Sequence, residues 1–523
     1  MAGKKKNLLR SGIIVSAGTL ASRILGLLRD VVIANLLGAS MAADAFFFAN
    51  RIPNFFRRLF AEGAFNQAFV PVLAELKDKD AAENKELVSQ AVGTLGIIVA
   101  AVTLFGVIFS TVVSAVFGWG WYTDSLKSSE GAERFALASL LLKITFPYLW
   151  FITLTAVFSA VLNSKGKFAI PALTPCLLNI STIAAALWLS PHLETPAIGL
   201  AIGISAGGAM QLALQLPFIA KLGLLGWPKW AWNSPGVTKI RKLMLPALFG
   251  VSVNQINLLI NTALASFLAT GAISYLYYSD RILEFPLGMF AVAISTVILP
   301  TLSRGHVGDD REKFVNTMDW AVRMVILLGI PAMLGIIVLR EGIISAIFMH
   351  GSFTAEDAAM SSASLFASAL GIQSLMLARV LAPGFYAVQD TKTPVRYGIY
   401  SMIGNMVFNL LLIYPLGYLG LALSTALSGT LNASLLWTGL RRRELYRMPC
   451  DTIIFSARLA GAGIIMAAVL YFAVPDLEAF ASMSILMRAV WVGGLIAAGA
   501  AVYALSALAL GLKPSHLKAG AKL

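Results

Sequence analysis

Long apolar stretches recur along this chain, and each is long enough to cross a lipid bilayer as a helix. A spanning helix needs about 20 mainly apolar residues. Fourteen segments meet that criterion: 8–37, 44–74, 87–117, 134–162, 169–190, 196–220, 238–268, 272–302, 314–340, 360–388, 394–414, 417–440, 453–474 and 486–511. The sequence therefore predicts an all-α polytopic membrane protein with fourteen transmembrane helices.

The composition agrees with a membrane protein and excludes several other classes. Charged residues make up 13% of the chain and hydrophobic residues 58%, whereas a soluble protein has about 25% charged residues. Cys176 and Cys450 are too few and too far apart in sequence for a disulfide framework or a metal cluster. The sequence shows no Walker loop, dinucleotide fingerprint or nucleophile elbow. ATP-driven pumping by this chain alone is therefore not expected, and no cofactor is predicted.

The distribution of basic residues predicts the orientation in the membrane. The net charge of +14 could suggest a nucleic-acid partner, but most of the excess lies in short loops between apolar stretches. The loops on the side of the N-terminus hold 26 basic residues, and those on the other side hold only Lys127, Arg134 and Arg340. By the positive-inside rule the first side is cytoplasmic. Both termini are then cytoplasmic, which requires an even number of spans, and no nucleic acid is expected as a partner.

Short matches between the two halves of the chain indicate an internal repeat. NRI at 50–52 recurs as DRI at 280–282, VPVL at 70–73 as LPTL at 299–302, and GLA at 199–201 again at 420–422. Six helices per half preserve the side of the membrane, so the repeat is parallel, which suits alternating access. The predicted domains are an N-terminal lobe (1–225), a tryptophan-rich interfacial linker (226–237), a C-terminal lobe (238–447) and helices thirteen and fourteen with a cytoplasmic tail (448–523).

The segment 44–71 combines a Phe- and Ala-rich composition with several charges, namely Arg51, Arg57, Arg58 and Glu62. A charge near the centre of a membrane helix costs about 2.5–3.5 kcal/mol on insertion scales. Such arginines are tolerated when they face a water-filled cavity or a bound anion. The alternative is a surface helix whose arginines lie in water.

Eleven basic residues lie within or at the edge of predicted spans. They are Arg23, Arg29, Arg51, Arg57, Arg58, Lys143, Arg281, Arg323, Arg379, Arg458 and Arg488. Arg323, Arg458 and Arg488 lie near span ends, where a long side chain can reach the interface. The others require a cavity or a partner, although Lys143 is better explained as a helix-side residue than as a ligand.

Four motifs resemble the MurJ/MviN family of lipid II flippases, within the multidrug/oligosaccharidyl-lipid/polysaccharide exporter superfamily. They are SRILGLLRD at 22–30, DAFFFANRIPNFFRRLFAEGAFNQAFVPVLAE at 44–75, DRILEFPLG at 280–288 and APGFYAVQDTKTPV at 382–395. The resemblance implies two six-helix lobes around a central cavity, with helices thirteen and fourteen forming a groove for a polyprenyl tail. It also implies a bacterial inner-membrane location, the undecaprenyl-diphosphate-linked precursor lipid II as substrate, and membrane lipids and cell-wall synthesis enzymes as candidate partners.

The resemblance further implies which residues bind the substrate. These are Arg23, Arg29 and Asp30 on helix one, Arg57 on helix two and Arg281 on helix eight. Arginine forks match the oxygens of a diphosphate in bidentate fashion. Arg51, Arg58 and Glu62 share a helical face from which Arg57 is about 100° away, unless Pro53 bends the helix.

A second set of residues is expected to gate or support the site: Asp44, Arg58, Glu62, Asp280, Glu284 and Arg379. We expect Glu62 and Arg379 to pair when the cavity faces outward, because alternating access needs contacts present in one state only. The alternative is that Arg379 serves helix packing within its own lobe, where Asp280 and Glu284 are available.

Asn405 and Asn409, one turn apart on helix eleven, are a weak candidate for a sodium site, since some members of the family place sodium ligands there. One of those ligands is an Asp in such members, and neutral amides bind cations more weakly. Hydrogen bonding between helices is the alternative.

Other functions remain open at the level of sequence. A flippase for another polyprenyl-diphosphate oligosaccharide would need the same cations. A drug/cation antiporter of the same superfamily should carry acids in its cavity, whereas the excess here is basic. A non-transporting scaffold for cell-wall enzymes has no need of buried arginines.

Overall fold

The computed structural model describes residues 2–59, 65–75, 81–307 and 311–513. Within these ranges the secondary structure is helical and contains no strand. The chain divides into two compact units, Met1–Ile273 and Ser274–Leu523.

In its described residues the first unit contains eleven α-helices and the start of a twelfth. They are α1 (Ala2–Leu37), α2 (Met41–Arg57), α3 (Phe65–Glu75), α4 (Ala81–Ile108), α5 (Ser110–Phe117), α6 (Trp119–Ser125), α7 (Ser129–Thr145), α8 (Tyr148–Ser164), α9 (Ala169–Ala184), α10 (Pro196–Lys221) and α11 (Pro235–Ala265). The unit thus extends past the predicted N-terminal lobe to include α11. The compact units are defined by contacts in the structure, whereas the predicted lobes are defined by the repeat in the sequence. The predicted lobe boundaries therefore stay a prediction.

The second unit contains the remaining helices. They are α12 (Ala272–Pro286), α13 (Val292–Val307), α14 (Arg311–Phe348), α15 (Ala355–Ala369), α16 (Ile372–Ala387), α17 (Lys392–Leu416), α18 (Tyr418–Arg442), α19 (Cys450–Ala473), α20 (Leu477–Ser482) and α21 (Ile485–Ala509). The 38-residue α14 packs against α13, α15, α16, α19 and α21.

The all-α membrane fold is confirmed, but the exact number of spans is not. Ten helical stretches in the described residues are long and apolar enough to cross a membrane, or eleven if the bent pair α15 and α16 is one span. The three other predicted spans, 8–37, 44–74 and 238–268, fall on α1, on α2 with α3, and on α11. These carry several of the charged and polar side chains that lower hydropathy. The count of fourteen stays a prediction.

Proline and close packing explain three of the places where predicted spans are interrupted. The stretch 134–162 breaks before Pro147, which caps α8, and 272–302 is interrupted after Pro286 by a wide turn over Leu287–Ala291. Proline lacks the amide proton that would continue the helical ladder. α15 and α16 bend by 43° at Gly371, where an added Cβ would lie 2.6 Å from the backbone of Ala426.

Small residues bring α1, α9 and α10 into close contact. Gly203 and Gly207 are one turn apart on α10 and approach α9, where an added Cβ would lie 2.6 Å from Ala185 and 3.0 Å from Leu178. Gly18 on α1 similarly meets Ala172 on α9, at 3.0 Å. Small residues at such spacing let membrane helices pack backbone to backbone. This packing places polar side chains of α9 beside α1.

Candidate substrate-binding site

Arg29 lies at the centre of a polar cluster between α1 and α9. Its Nε and Nη2 donate to Asp30 Oδ1 at 3.0 and 2.7 Å, and its Nη1 donates to Asn179 Oδ1 at 3.2 Å. The Asp30 side chain is fully buried, whereas 15% of the Arg29 side chain is exposed. Asp30 thus compensates the charge of an arginine whose side chain stays partly exposed.

Asn179 is the functional candidate that sequence analysis missed. Besides accepting from Arg29, it donates from Nδ2 to the carbonyl of Ser22 at 3.1 Å, and it is only 6% exposed. Ser22 directly precedes Arg23. The buried side-chain amide of Asn179 therefore contacts α1 next to Arg23 as well as at Arg29, two of the predicted substrate-binding arginines. An Asn in a predicted span was the available signal, but its partners are about 150 residues away in sequence.

Arg23 is exposed and makes no ion pair or hydrogen bond within the part of the chain described here. A cation in that position on a membrane helix needs water or an anion. This is the environment expected for a residue that meets a phosphate.

The arginines of α2 are held in different ways. Arg51 donates from Nη1 to Thr262 Oγ1 of α11 at 2.8 Å, and Arg57 donates from Nε to Asn54 Oδ1 at 2.7 Å. Arg57 and Arg58 are both half-buried, so burial does not separate the two candidates. Glu62 lies outside the described residues, and its pairing with Arg379 stays a prediction.

The side chain of Asp44 is buried and hydrogen-bonded. It is 2% exposed and accepts a 2.7 Å hydrogen bond from the backbone N–H of Gly271. It therefore links the start of α2 to the loop after α11, and its role as a gate or supporting residue stays a prediction.

In the second unit, the predicted residues of helix eight lie on α12. Arg281 Nη1 and Glu284 Oε2 form a 2.8 Å ion pair in which the two side chains are 27% and 58% exposed. Asp280 is half-buried. An ion pair that is partly exposed is weak in water.

Arg379 on α16 contacts its own unit. Its Nη1 donates to the carbonyl of Leu287 at 3.1 Å, in the wide turn that follows Pro286. This contact favours the alternative that Arg379 serves packing within its own half of the chain.

Asn405 and Asn409 also fit the packing alternative. Both are fully buried. Asn409 Nδ2 donates to Asn405 Oδ1 at 2.9 Å, and Asn405 Nδ2 donates to Ser428 Oγ on α18 at 3.4 Å. The amides thus join α17 to α18.

The expectation that Arg323 and Arg488 reach the membrane interface is wrong. Arg323 is 4% exposed and pairs with Asp319 at 2.8 Å. Arg488 is 8% exposed and donates to the carbonyls of Phe480, Ala481 and Met349. The i,i+4 spacing of Asp319 and Arg323 was a usable signal. The partners of Arg488 are backbone carbonyls, which give no signal in the sequence.

The pair Asp319–Arg323 belongs to a buried network that attaches α19 to α14. Thr452 Oγ1 accepts from Arg323 Nε at 2.8 Å and donates to Asp319 Oδ1 at 2.7 Å, while Tyr446 O–H donates to the same carboxylate at 2.8 Å. Burial, and then the charge of Asp319, raise the pKa of Tyr446 well above its ordinary value. Its hydroxyl therefore remains a donor.

Comparison with solved structures first defines the class. An inward-facing MATE family transporter of the MOP superfamily matches with a TM-score of 0.68 at 12% identity, over 83% of this chain and 98% of that chain. At that identity the match shows the fold alone, an all-α multi-pass membrane fold.

The family follows from closer matches. The family described as "Lipid II flippase MurJ" matches residues 33–491. A "Probable lipid II flippase MurJ" of Vibrio cholerae is 55% identical over 515 residues, covering 98% of both chains. A solved "Lipid II flippase MurJ, inward closed conformation" has a TM-score of 0.78 at 29% identity, over 95% of this chain and 100% of that one. The chain belongs to the MurJ family, and the prediction from its motifs is confirmed.

Proposed function

We propose that this chain is a flippase that moves lipid II from the cytoplasmic to the periplasmic leaflet by alternating access. The observation that carries the proposal is 55% identity over nearly its whole length to a protein named as a probable lipid II flippase. The local geometry supports it, because Arg23, Arg29 and Arg281 present guanidinium groups with exposed edges. The diphosphate of lipid II is an anion that cannot cross hydrocarbon unaided, and planar guanidinium forks suit its oxygens.

The residues divide into ligands and supports. Arg23, Arg29, Arg57 and Arg281 bind the diphosphate, and Asp30 holds Arg29 in place. A drug antiporter that binds organic cations would need acidic side chains in its site. The excess of basic residues within the predicted spans argues against that function. Helices thirteen and fourteen, here α19 and α21, supply the groove for the polyprenyl tail.

Depletion of the protein tests the substrate. We expect lipid II to accumulate in the cytoplasmic leaflet while its synthesis continues, and the externally accessible fraction to fall. Normal external exposure of newly made lipid II would contradict the proposal. Accumulation of a different polyprenyl-diphosphate saccharide, with lipid II exposed as usual, would assign the chain to that substrate instead.

The orientation is proposed from the charge asymmetry, with both termini cytoplasmic in a bacterial inner membrane. Single cysteines at the exposed positions of Lys127, Pro191 and Asp476 should react with an impermeant maleimide from the periplasm. Reaction only after permeabilisation would reverse the assignment. Cell-wall synthesis enzymes remain a predicted class of partner.

A further inference from the structure

The segment 226–236, which we call the strap, joins α10 to α11 and is fixed along α4. The backbone N–H of Lys229 donates to the carbonyl of Ser89 at 3.0 Å, and that of Ala231 donates to Thr94 Oγ1 at 3.0 Å. A Cβ on Gly93 would lie 2.3 Å from the backbone of Lys229. The strap therefore lies directly against the backbone of α4.

This fixed backbone presents three tryptophans to the surroundings. Trp227, Trp230 and Trp232 are 89%, 55% and 40% exposed. The rings of Trp230 and Trp232 stack with their centroids 6.0 Å apart, and the guanidinium carbon of Arg241 lies 4.0 Å from the ring centroid of Trp232. Tryptophan is enriched at the membrane–water interface. The strap starts five residues after α10, a membrane-spanning helix, and so lies at that interface.

The strap and the residues that flank it in sequence carry charge of one sign, although Glu75, Glu83 and Glu86 lie beside them in space. Residues 221–242 contain five basic side chains and no acidic one. Two of the five are paired, Lys229 with Glu86 at 2.7 Å and Lys239 with Glu75 at 2.6 Å. Lys221, Arg241 and Lys242 have no acidic partner within the described residues. Basic groups next to a membrane helix attract anionic lipid headgroups.

We propose that the strap, together with Lys221, Arg241 and Lys242, is a binding surface for anionic phospholipid headgroups of the cytoplasmic leaflet. The tryptophans enter the headgroup region and the three cations contact lipid phosphates. Because α4 holds the strap, bound lipid fixes the cytoplasmic ends of α4, α10 and α11 at one depth. The inference does not depend on which substrate is carried.

The test is quenching of tryptophan fluorescence by brominated lipid, with the full chain in nanodiscs of phosphatidylcholine. The same fraction of brominated phosphatidylglycerol or brominated phosphatidylcholine is added. Quenching by the strap is the difference between the wild type and a variant with Trp227→Phe, Trp230→Phe and Trp232→Phe. We expect it to be at least about twofold stronger with the anionic lipid.

Two further variants make the comparison specific. Replacing Lys221, Arg241 and Lys242 by Gln should remove the preference for phosphatidylglycerol and leave quenching by phosphatidylcholine. Trp188 is the matched control, since it is 73% exposed and no Lys or Arg lies in 186–195. The quenching lost in Trp188→Phe should be equal for both lipids.

Equal quenching of the strap by both lipids would overturn the proposal, since the surface would then be a neutral interface. Absence of any strap-dependent quenching would overturn it as well. If the triple tryptophan variant fails to fold, Trp227→Phe alone gives the same comparison, because a side chain exposed to 89% contributes little to packing.

Discussion

The carboxylate of Asp44 accepts a 2.7 Å hydrogen bond from the backbone N–H of Gly271, which is 227 residues away in sequence. Gly271 has a φ of +93°, which favours glycine. Two other contacts hold the same loop, from the N–H of Gly120 to Ser266 Oγ and from Arg134 to Thr270 Oγ1. The start of α2 is thereby joined to the loop that follows α11.

Asp44→Ala should destabilise the protein because it leaves the buried N–H of Gly271 without its acceptor. The expected cost is about 1–3 kcal/mol, measured as a lower midpoint of thermal unfolding in detergent. Asp44→Asn keeps an acceptor oxygen and is the matched control. Equal midpoints for the two variants would show that this hydrogen bond contributes nothing.

Arg29→Ala and Arg281→Ala should abolish lipid II translocation while the protein still inserts into the membrane. Each change removes one of the proposed donors to the diphosphate. Arg→Lys at either position should restore activity poorly, because Lys keeps the charge but loses the planar fork. The measurement is rescue of depleted cells at equal protein level. Full rescue by both alanine variants would remove these residues from the site.

Asn179→Ala should lower translocation about tenfold, with little effect on membrane insertion. The amide fixes Arg29 and the backbone before Arg23, and loss of such a hydrogen bond to a charged group costs about 1.5–3 kcal/mol. Asn179→Asp should be worse, because a new carboxylate beside Arg29 competes with the diphosphate. If Asn179→Asp were as active as the wild type, Asn179 would not position a substrate-binding arginine.

Arg323→Met should destabilise the second unit strongly because it leaves the carboxylate of Asp319 buried without its cation. Breaking a buried pair from one side costs about 3–5 kcal/mol. The double variant Asp319→Leu with Arg323→Met should recover most of the loss in thermal unfolding. A double variant no more stable than Arg323→Met would show that the pair itself is not the cause.

Asp390, in the connection between α16 and α17, should make the stability depend on pH below its ordinary pKa of about 3.9. Burial alone would raise the pKa of this carboxyl, but hydrogen bonds from Thr393 and the ion pair with Arg443 outweigh it, and the net pKa is lowered. The folded state therefore binds the proton less tightly than the unfolded state, so this stabilisation is complete above that pKa and is lost as the pH falls through the lowered value.

The measurement is thermal unfolding of the wild type and Asp390→Asn across pH. The variant should be less stable near neutral pH, and the two midpoints should converge below about pH 4. A difference that stays constant down to acidic pH would contradict this assignment.

Hydropathy predicted the helical segments well, because a helix in lipid must satisfy its backbone internally and cover itself with apolar side chains. It could not predict the interruptions at Pro147 and Gly371 in detail, since proline is also tolerated inside α2 at Pro53. Close approach to another helix, as at Gly371, is a property of the packed structure.

The roles of individual arginines were harder to predict for a related reason. A guanidinium within an apolar stretch needs a partner, but the sequence does not say which one. Arg51 finds Thr262 and Arg488 finds backbone carbonyls, and neither partner carries a charge. Asp319 with Arg323, and Arg281 with Glu284, lie one turn apart on single helices and could be paired from their spacing.

The attachment of α19 and α21 has a consequence for any shortened or fused version of this chain. Arg323 donates to Thr452 of α19, Arg488 of α21 donates to the carbonyl of Met349 just after α14, and Arg458 donates to the carbonyl of Gly511. A stop codon after α18 would expose a charged interior along α14 instead of yielding a smaller transporter. Fluorescent proteins or affinity tags therefore belong beyond Lys513, and exchange of segments between relatives should carry α14, α19 and α21 together.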